Sequence, residues 1–260
     1  MKRNLIGIIN LITFAFMIWA NYYVNSGAWN GSNIGEMSNE LQNLISPAPA
    51  AFSIWSIIFI GLGVFTIAIW KGGKTGTDEL KATFPLFALS NILNGSWAFA
   101  FLSGNIGLSL IIMFSLLLCL IGISIKLKLE LNDPPVSTIA TIWWPIVIYL
   151  GWIIAASLVN TATFLVSLGV DPYSSTSTMI AIGILIIAAA IYIALTWGRN
   201  MREAGLVGVW AAIWIAIEQW NVSPLISWTA IAVAAVIFIS SSIHGAKNFK
   251  KSPLGKLLSD

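Results

Sequence analysis

The sequence predicts an all-α protein, a polytopic membrane helix bundle with eight transmembrane helices. Three observations carry that reading. Hydrophobic residues make up 58% of the 260 residues and charged residues 9%, whereas a soluble domain carries roughly 25% charged residues. Mean hydropathy is +0.88. The apolar residues fall in eight runs, at about 4–24, 50–70, 83–103, 105–126, 138–167, 178–198, 204–220 and 224–245. Most approach the ~20 residues that a helix needs to cross a bilayer core.

The first run follows Lys2 and Arg3 and superficially fits a secretory signal. Its apolar part is too long and no small-residue cleavage motif follows, so it is read as a first span. A long loop at 25–49 contains Trp29, Pro47 and Pro49 and reads either as a lid, with the proline pair as its hinge, or as a plain connector. The second run ends on Trp70-Lys71, a membrane-interface pair. Runs three and four are joined by a tight turn at Ser103-Gly104-Asn105. In the long fifth run, Pro145 removes a backbone donor and is expected to kink the helix unless the helix starts there. A four-plus-four split of the eight runs shows no matching motifs, which weakens an inverted-repeat transporter reading.

Charge sets the sidedness. All 13 Lys and Arg lie before span one, between spans two and three, after span four, after span six or after span eight. With eight spans those places share one side, so both termini are expected to be cytoplasmic by the positive-inside rule. The alternate loops carry Glu36, Glu40 and Asp171, with Glu218 near a helix end. The net charge of +3 therefore points to the lipid bilayer and to no nucleic acid. Cys119 is the single cysteine and lies in an apolar run, so no disulfide framework and no thiolate metal site are expected. His244 has no partner ligands nearby in sequence, and no metal site is read there. Nucleophile motifs, phosphate loops and paired catalytic carboxylates are absent from the spans, so no catalytic residue is assigned.

Tryptophan is the unusual residue, with 13 in the chain. Trp19, Trp70, Trp197 and Trp220 lie near span ends, as an aromatic belt would. Trp55, Trp97, Trp152, Trp210 and Trp214 lie within spans. At 1.5 Å per residue, Trp55 sits roughly 7–8 Å below the outer surface, Trp97 about 9 Å and Asn94 about 13 Å. Asn160 falls in the outer half of span five. Asn94 and Trp97 share one helix face, as do Trp152, Ala156 and Asn160. Buried amides in lipid are costly unless bonded. Two readings stand: the amides join helices, or they are the polar handles of an aromatic-walled cavity for a flat, apolar ligand. Glu218 shares a face with Trp210 and Trp214 and is the one carboxylate within an apolar run. It is a candidate proton or substrate group, or it simply reaches water. Ala88, Gly95, Ala98 and Ala100 suit close helix contacts or a homodimer seam.

Three patches resemble the tryptophan-rich sensory protein / translocator protein family, also called the peripheral-type benzodiazepine receptor family. In span two, a Pro-rich entry precedes Phe52, Trp55, Phe59, Gly63 and Trp70-Lys71, with Phe59 in place of the usual Tyr. In span three, LSNILNGSWAFAFL carries Asn94 and Trp97, with Ser90 where Gln is common. In span five, YLGWIIAASLVN supplies Tyr149, Trp152, Ala156 and Asn160, with Pro145 displaced and Ala155 replacing a Phe. Leu108 or Ser109 stands where a pocket Trp is often found. The resemblance covers residues 1–168 and implies a five-helix core there, leaving 169–260 as a three-helix membrane extension with a cytoplasmic basic tail. It implies a pocket covered by the first loop, lined by Trp55, Asn94, Trp97, Tyr149, Trp152, Ala156, Asn160, Phe52 and Phe59. The implied ligand is a porphyrin or related tetrapyrrole, with no cofactor required and a sensing or transport role. Two alternatives remain: a secondary transporter of a small hydrophobic molecule using Glu218, and light-dependent porphyrin breakdown.

Overall fold

Every apolar run becomes a helix, because in lipid only internal hydrogen bonding satisfies the backbone. The computed structural model describes residues 3–71, 80, 82–132 and 134–249. Lys2, Lys74, Lys81, Lys250, Lys251 and Lys256, six of the cations behind the sidedness reading, lie outside the described residues. The long helices are α1 (Arg3–Asn25), α3 (Ile54–Lys71), α4 (Phe84–Leu102), α5 (Ile106–Lys126), α6 (Trp144–Ser167), α7 (Ser175–Arg199), α8 (Arg202–Glu218) and α9 (Pro224–Lys247). A short α2 (Ile34–Glu40) interrupts the first loop. Among the described residues there is no strand.

Seven helical stretches are long and apolar enough to span a membrane: Leu5–Asn25, Pro49–Trp70, Phe84–Leu102, Ile106–Lys126, Val136–Ser167, Ser175–Arg199 and Pro224–Lys247. The predicted count of eight is not reached on that measure. The run at 204–220 is helical, as α8, but its 17 residues leave it outside the set. At 1.5 Å per residue it is about 25 Å long. Large apolar side chains cover the outer faces of the bundle, among them Ile12, Ile60, Ile111, Leu118 and Ile186. A soluble monomer rarely exposes so much contiguous apolar surface.

Helices α1, α4, α5, α6 and α3 contact one another in that cyclic order and close a five-helix ring. Helix α8 packs on α6 and is flanked by α7 and α9. Glycines make this centre possible. A Cβ on Gly151 of α6 would meet Ala204 Cα at 3.0 Å and Val207 Cβ at 3.0 Å. One on Gly208 would meet the Tyr192 ring at 2.5 Å, and one on Gly205 would meet Ser241 Oγ at 2.8 Å. The Tyr192 hydroxyl donates to the Gly151 carbonyl at 2.8 Å, so α6, α7 and α8 lock through one tyrosine.

The small residues of α4 are used within the chain. A Cβ on Gly95 would meet Phe16 at 2.7 Å and Ala20 at 3.1 Å, both on α1, and Ala88, Ala98 and Ala100 are buried. These small residues thus make the close helix contacts expected of them within the chain. The turn at Ser103–Asn105 forms as expected, with Gly104 at φ +74°. Pro145 kinks nothing inside α6, because it stands in the helix's first turn. A π-helical turn, Ile139–Trp143, precedes it and takes up the irregularity.

Candidate functional site

The aromatic residues singled out in spans two, three and five converge at the end of the bundle where α1, α4 and α6 finish. Trp55 stacks on Phe59, with centroids 5.1 Å apart at 26°. Its ring meets Tyr149 at 6.0 Å and Trp152 at 6.3 Å, both edge-on. Phe52 stands edge-on to Trp152 at 5.9 Å. Across the space, Trp97 stacks on Phe101 at 5.2 Å and 22°. Offset-stacked and edge-to-face pairs are the favoured aromatic geometries, and here they brace each wall before any ligand arrives.

Two adjoining spaces lie between these walls. The outer groove, about 550 Å³, is bordered by Asn21 and Tyr22 of α1, by α2 and by Phe59 and Trp97. A smaller inner recess of about 60 Å³ continues toward Met113, Trp152, Ala156 and Asn160. Ile34, Phe52, Trp55 and Trp97 line both. Ligand sites commonly measure roughly 300–1,000 Å³ with mostly apolar walls and a few polar groups, and the groove has that character.

The amides divide in role. Asn160 reaches the recess. Its Oδ1 accepts from Trp97 Nε1 at 3.4 Å, and its Nδ2 donates to Ser109 Oγ at 3.2 Å. Ser109, at the span-four position where a pocket Trp was looked for, is therefore the partner of Asn160. Asn94 lines neither space. Its Oδ1 accepts from Asn21 Nδ2 at 2.8 Å, and its Nδ2 donates to the Tyr149 hydroxyl at 2.9 Å. Tyr149 is fully buried and touches Trp55 only through its ring. Asn94 and Tyr149, expected as lining residues, instead support the wall as a polar bridge from α1 through α4 to α6. Both amides thus join helices, and Asn160 in addition borders the recess.

The first loop is a fixed cover. Asn33 and Glu36 form a reciprocal capping box that starts α2. Ile34, Ser38 and Pro47 face the recess. Trp29 Nε1 donates to Ser103 Oγ at 3.1 Å and Asn30 Nδ2 to the Leu102 carbonyl at 2.8 Å. Asn43 Nδ2 donates to Thr163 Oγ1 at 3.1 Å, and the Ala48 N–H to the Trp214 carbonyl at 3.1 Å. Pro49 opens a 3₁₀ turn, Pro49–Ser53, whose Ala51 carbonyl accepts from Trp210 Nε1 at 3.0 Å. Leu44 and Ile45 are buried. A hinge at the proline pair does not describe a segment held at so many points.

Glu218 lies outside both spaces. Its Oε1 accepts from Gln42 Nε2 at 2.6 Å, so it pins the loop to α8. Helix α8 also gives Ala211 and Ile215 to the wall of the recess, which sequence reasoning missed. Phe101 and Thr163 were missed as well, although each is one helical turn from an identified residue, Trp97 and Asn160. Asn21 was legible only as a polar residue in an apolar run.

The sequence model of the TSPO-like protein family matches residues 7–243. The chain belongs to that family. Its TSPO-like match runs past residue 168, where the resemblance in three patches stopped, and takes in α7, α8 and most of α9. No curated protein and no solved structure matches the chain. Family membership and the apolar helices together make it an integral multi-pass membrane protein of TSPO-like type.

Proposed function

We propose that this TSPO-like protein is a membrane receptor or carrier that binds a flat, apolar ligand, a porphyrin or related tetrapyrrole, between the aromatic walls at the outer end of the five-helix ring. The observation that carries the reading is the stacked Trp55–Phe59 pair and Trp97 bordering one groove of about 550 Å³, with Phe101 stacked on Trp97 at the inner recess. Aromatic side chains on both sides suit a flat ligand, and Asn160 offers a polar contact at the inner limit. We further read α8 as an eighth crossing, with both termini cytoplasmic. Every described Lys and Arg in the loops then lies at one end of the bundle, opposite the groove. Residues 1–168 form the binding part on this reading, and 169–260 an extension whose α8 completes the wall. Coupling through Glu218 is disfavoured, since its carboxylate is engaged by Gln42 away from the groove.

Protoporphyrin IX titrated into the purified protein should quench tryptophan fluorescence saturably in the micromolar range, because Trp55, Trp97 and Trp152 border the site. Trp55→Ala should weaken binding about tenfold, the equivalent of about 1.4 kcal/mol. A linear, unsaturable signal would contradict the proposal. Product analysis by absorbance and mass, with and without illumination, separates binding from light-driven breakdown.

A further inference from the structure

The groove and the recess hold no counter-charge for an anion. None of the side chains that line them is charged at neutral pH. The chain carries no Lys or Arg at 4–70, 82–125, 129–198 or 203–246. Along every helix that lines either space, the nearest Lys or Arg is therefore nine or more residues from a lining residue, about 13 Å at ~1.5 Å per residue. The cover is acidic instead. Helix α2 carries Glu36 and Glu40, and Glu36 Oε2 accepts from the N–H of Asn33, a groove residue, at 3.1 Å. A charge taken out of water is penalised steeply unless it is paired.

What the walls offer is neutral hydrogen-bond donors. Trp152 is only 3% exposed and lines the recess. Its Nε1–H makes no hydrogen bond among the described residues, and it is not closed off in the way that Trp214 Nε1 is. Trp55 lines both spaces and has an open, unpaired Nε1–H of the same kind. Trp97 differs, because its Nε1–H is spent on Asn160. An indole N–H can only donate, and a buried donor without a partner calls for an explanation. An acceptor on the ligand supplies one. The recess measures about 60 Å³, equal to about two waters at ~30 Å³ each. That is room for one small substituent such as a carbonyl or an ester group, and not for a macrocycle.

We propose that the site selects a tetrapyrrole in uncharged form, its acidic side chains esterified, and that a neutral carbonyl oxygen of the ligand accepts from Trp152 Nε1–H in the recess. This selectivity rests on the tetrapyrrole reading above and names the charge state of that ligand. A free diacid would bring two carboxylates to walls without a cation and to a cover that carries glutamates. The preference comes from the missing counter-charge, so a lysine placed at the groove removes it.

The test titrates protoporphyrin IX and its dimethyl ester into the full chain in detergent at neutral pH, with each Kd corrected for partition into empty micelles. The ester should bind at least about tenfold more tightly than the free acid. Asn25→Lys, at an exposed groove position, should tighten the free acid at least about tenfold and leave the ester unchanged. Trp152→Phe keeps an aromatic ring and removes the donor, and should weaken the ester about fivefold. Size exclusion and thermal melting verify that the variants fold, and Tyr22→Lys or Trp55→Phe replaces one that does not. The selectivity is overturned if the parent binds the free acid as tightly as the ester, or if the added lysine leaves the free acid no tighter. The tetrapyrrole reading survives both results, since both porphyrins bind. Ester binding unaffected by loss of the indole N–H overturns the assigned donor. If neither porphyrin binds saturably, the tetrapyrrole reading falls and the selectivity falls with it.

Discussion

The two ends of the bundle are built by opposite means. At the outer end, indole and phenyl rings from α3, α4 and α6 form walls that are already braced against one another, and Trp97 Nε1 donates to Asn160 beside them. At the other end, ionisable side chains surround a smaller space, and Arg202 Nε, Glu203 Oε2 and His244 Nδ1 have no hydrogen-bond partner among the described residues. On the function proposed above, the first region would recognise a ligand by shape and apolar area, whereas the second is lined by charged and amide side chains. Helix α8 serves both: Ala211 and Ile215 face the recess, and Arg202 and Glu203 face the polar cavity.

That shared helix gives the change with the largest expected effect. Gly208→Val would drive a side chain into the Tyr192 ring and break its bond to the Gly151 carbonyl. A loss of about 3 kcal/mol is expected from overpacking and the lost bond, visible as a lower melting temperature in detergent, with porphyrin binding damaged. Unchanged porphyrin binding would mean that α8 does not support the recess. Asn160→Leu comes next. It leaves Trp97 Nε1 and Ser109 Oγ without their partner, at a cost of about 1–3 kcal/mol, and should weaken porphyrin binding in titrations. The smallest effect is expected from Gln42→Ala, which frees one anchor of the loop at about 0.5–1.5 kcal/mol. Stopped-flow quenching should then show faster porphyrin association with little change at equilibrium. Glu218→Gln should leave flux in proteoliposomes unaltered; abolished flux would restore the proton-coupling role.

Much of this fold was legible because lipid allows few solutions. All eight apolar runs are helices, and the Ser103–Asn105 turn and the early position of Pro145 follow from residue type. The aromatic walls were legible because Trp55, Trp97 and Trp152 sit at helical spacing on faces that depth alone brings level. Partners that arise only from tertiary packing were hidden. Nothing local in Asn94 says that Asn21 and Tyr149 will occupy both ends of its amide. The fixed cover was readable in part, since Asn33-x-x-Glu36 is a capping signature, but its anchors on Thr163 and Trp214 are far away in sequence. The polar cavity was hidden for the same reason, being assembled from segments that start near 130, 200 and 244.

The central claim is that the space between the Trp55 and Trp97 walls is the ligand site. A structure of the protein determined after saturation with protoporphyrin IX tests it most directly. The account predicts planar density in the outer groove, flanked by Trp55 and Trp97 and beneath the residues of α2. Density confined to the lipid-facing surface, or an empty groove at saturating ligand, would contradict it.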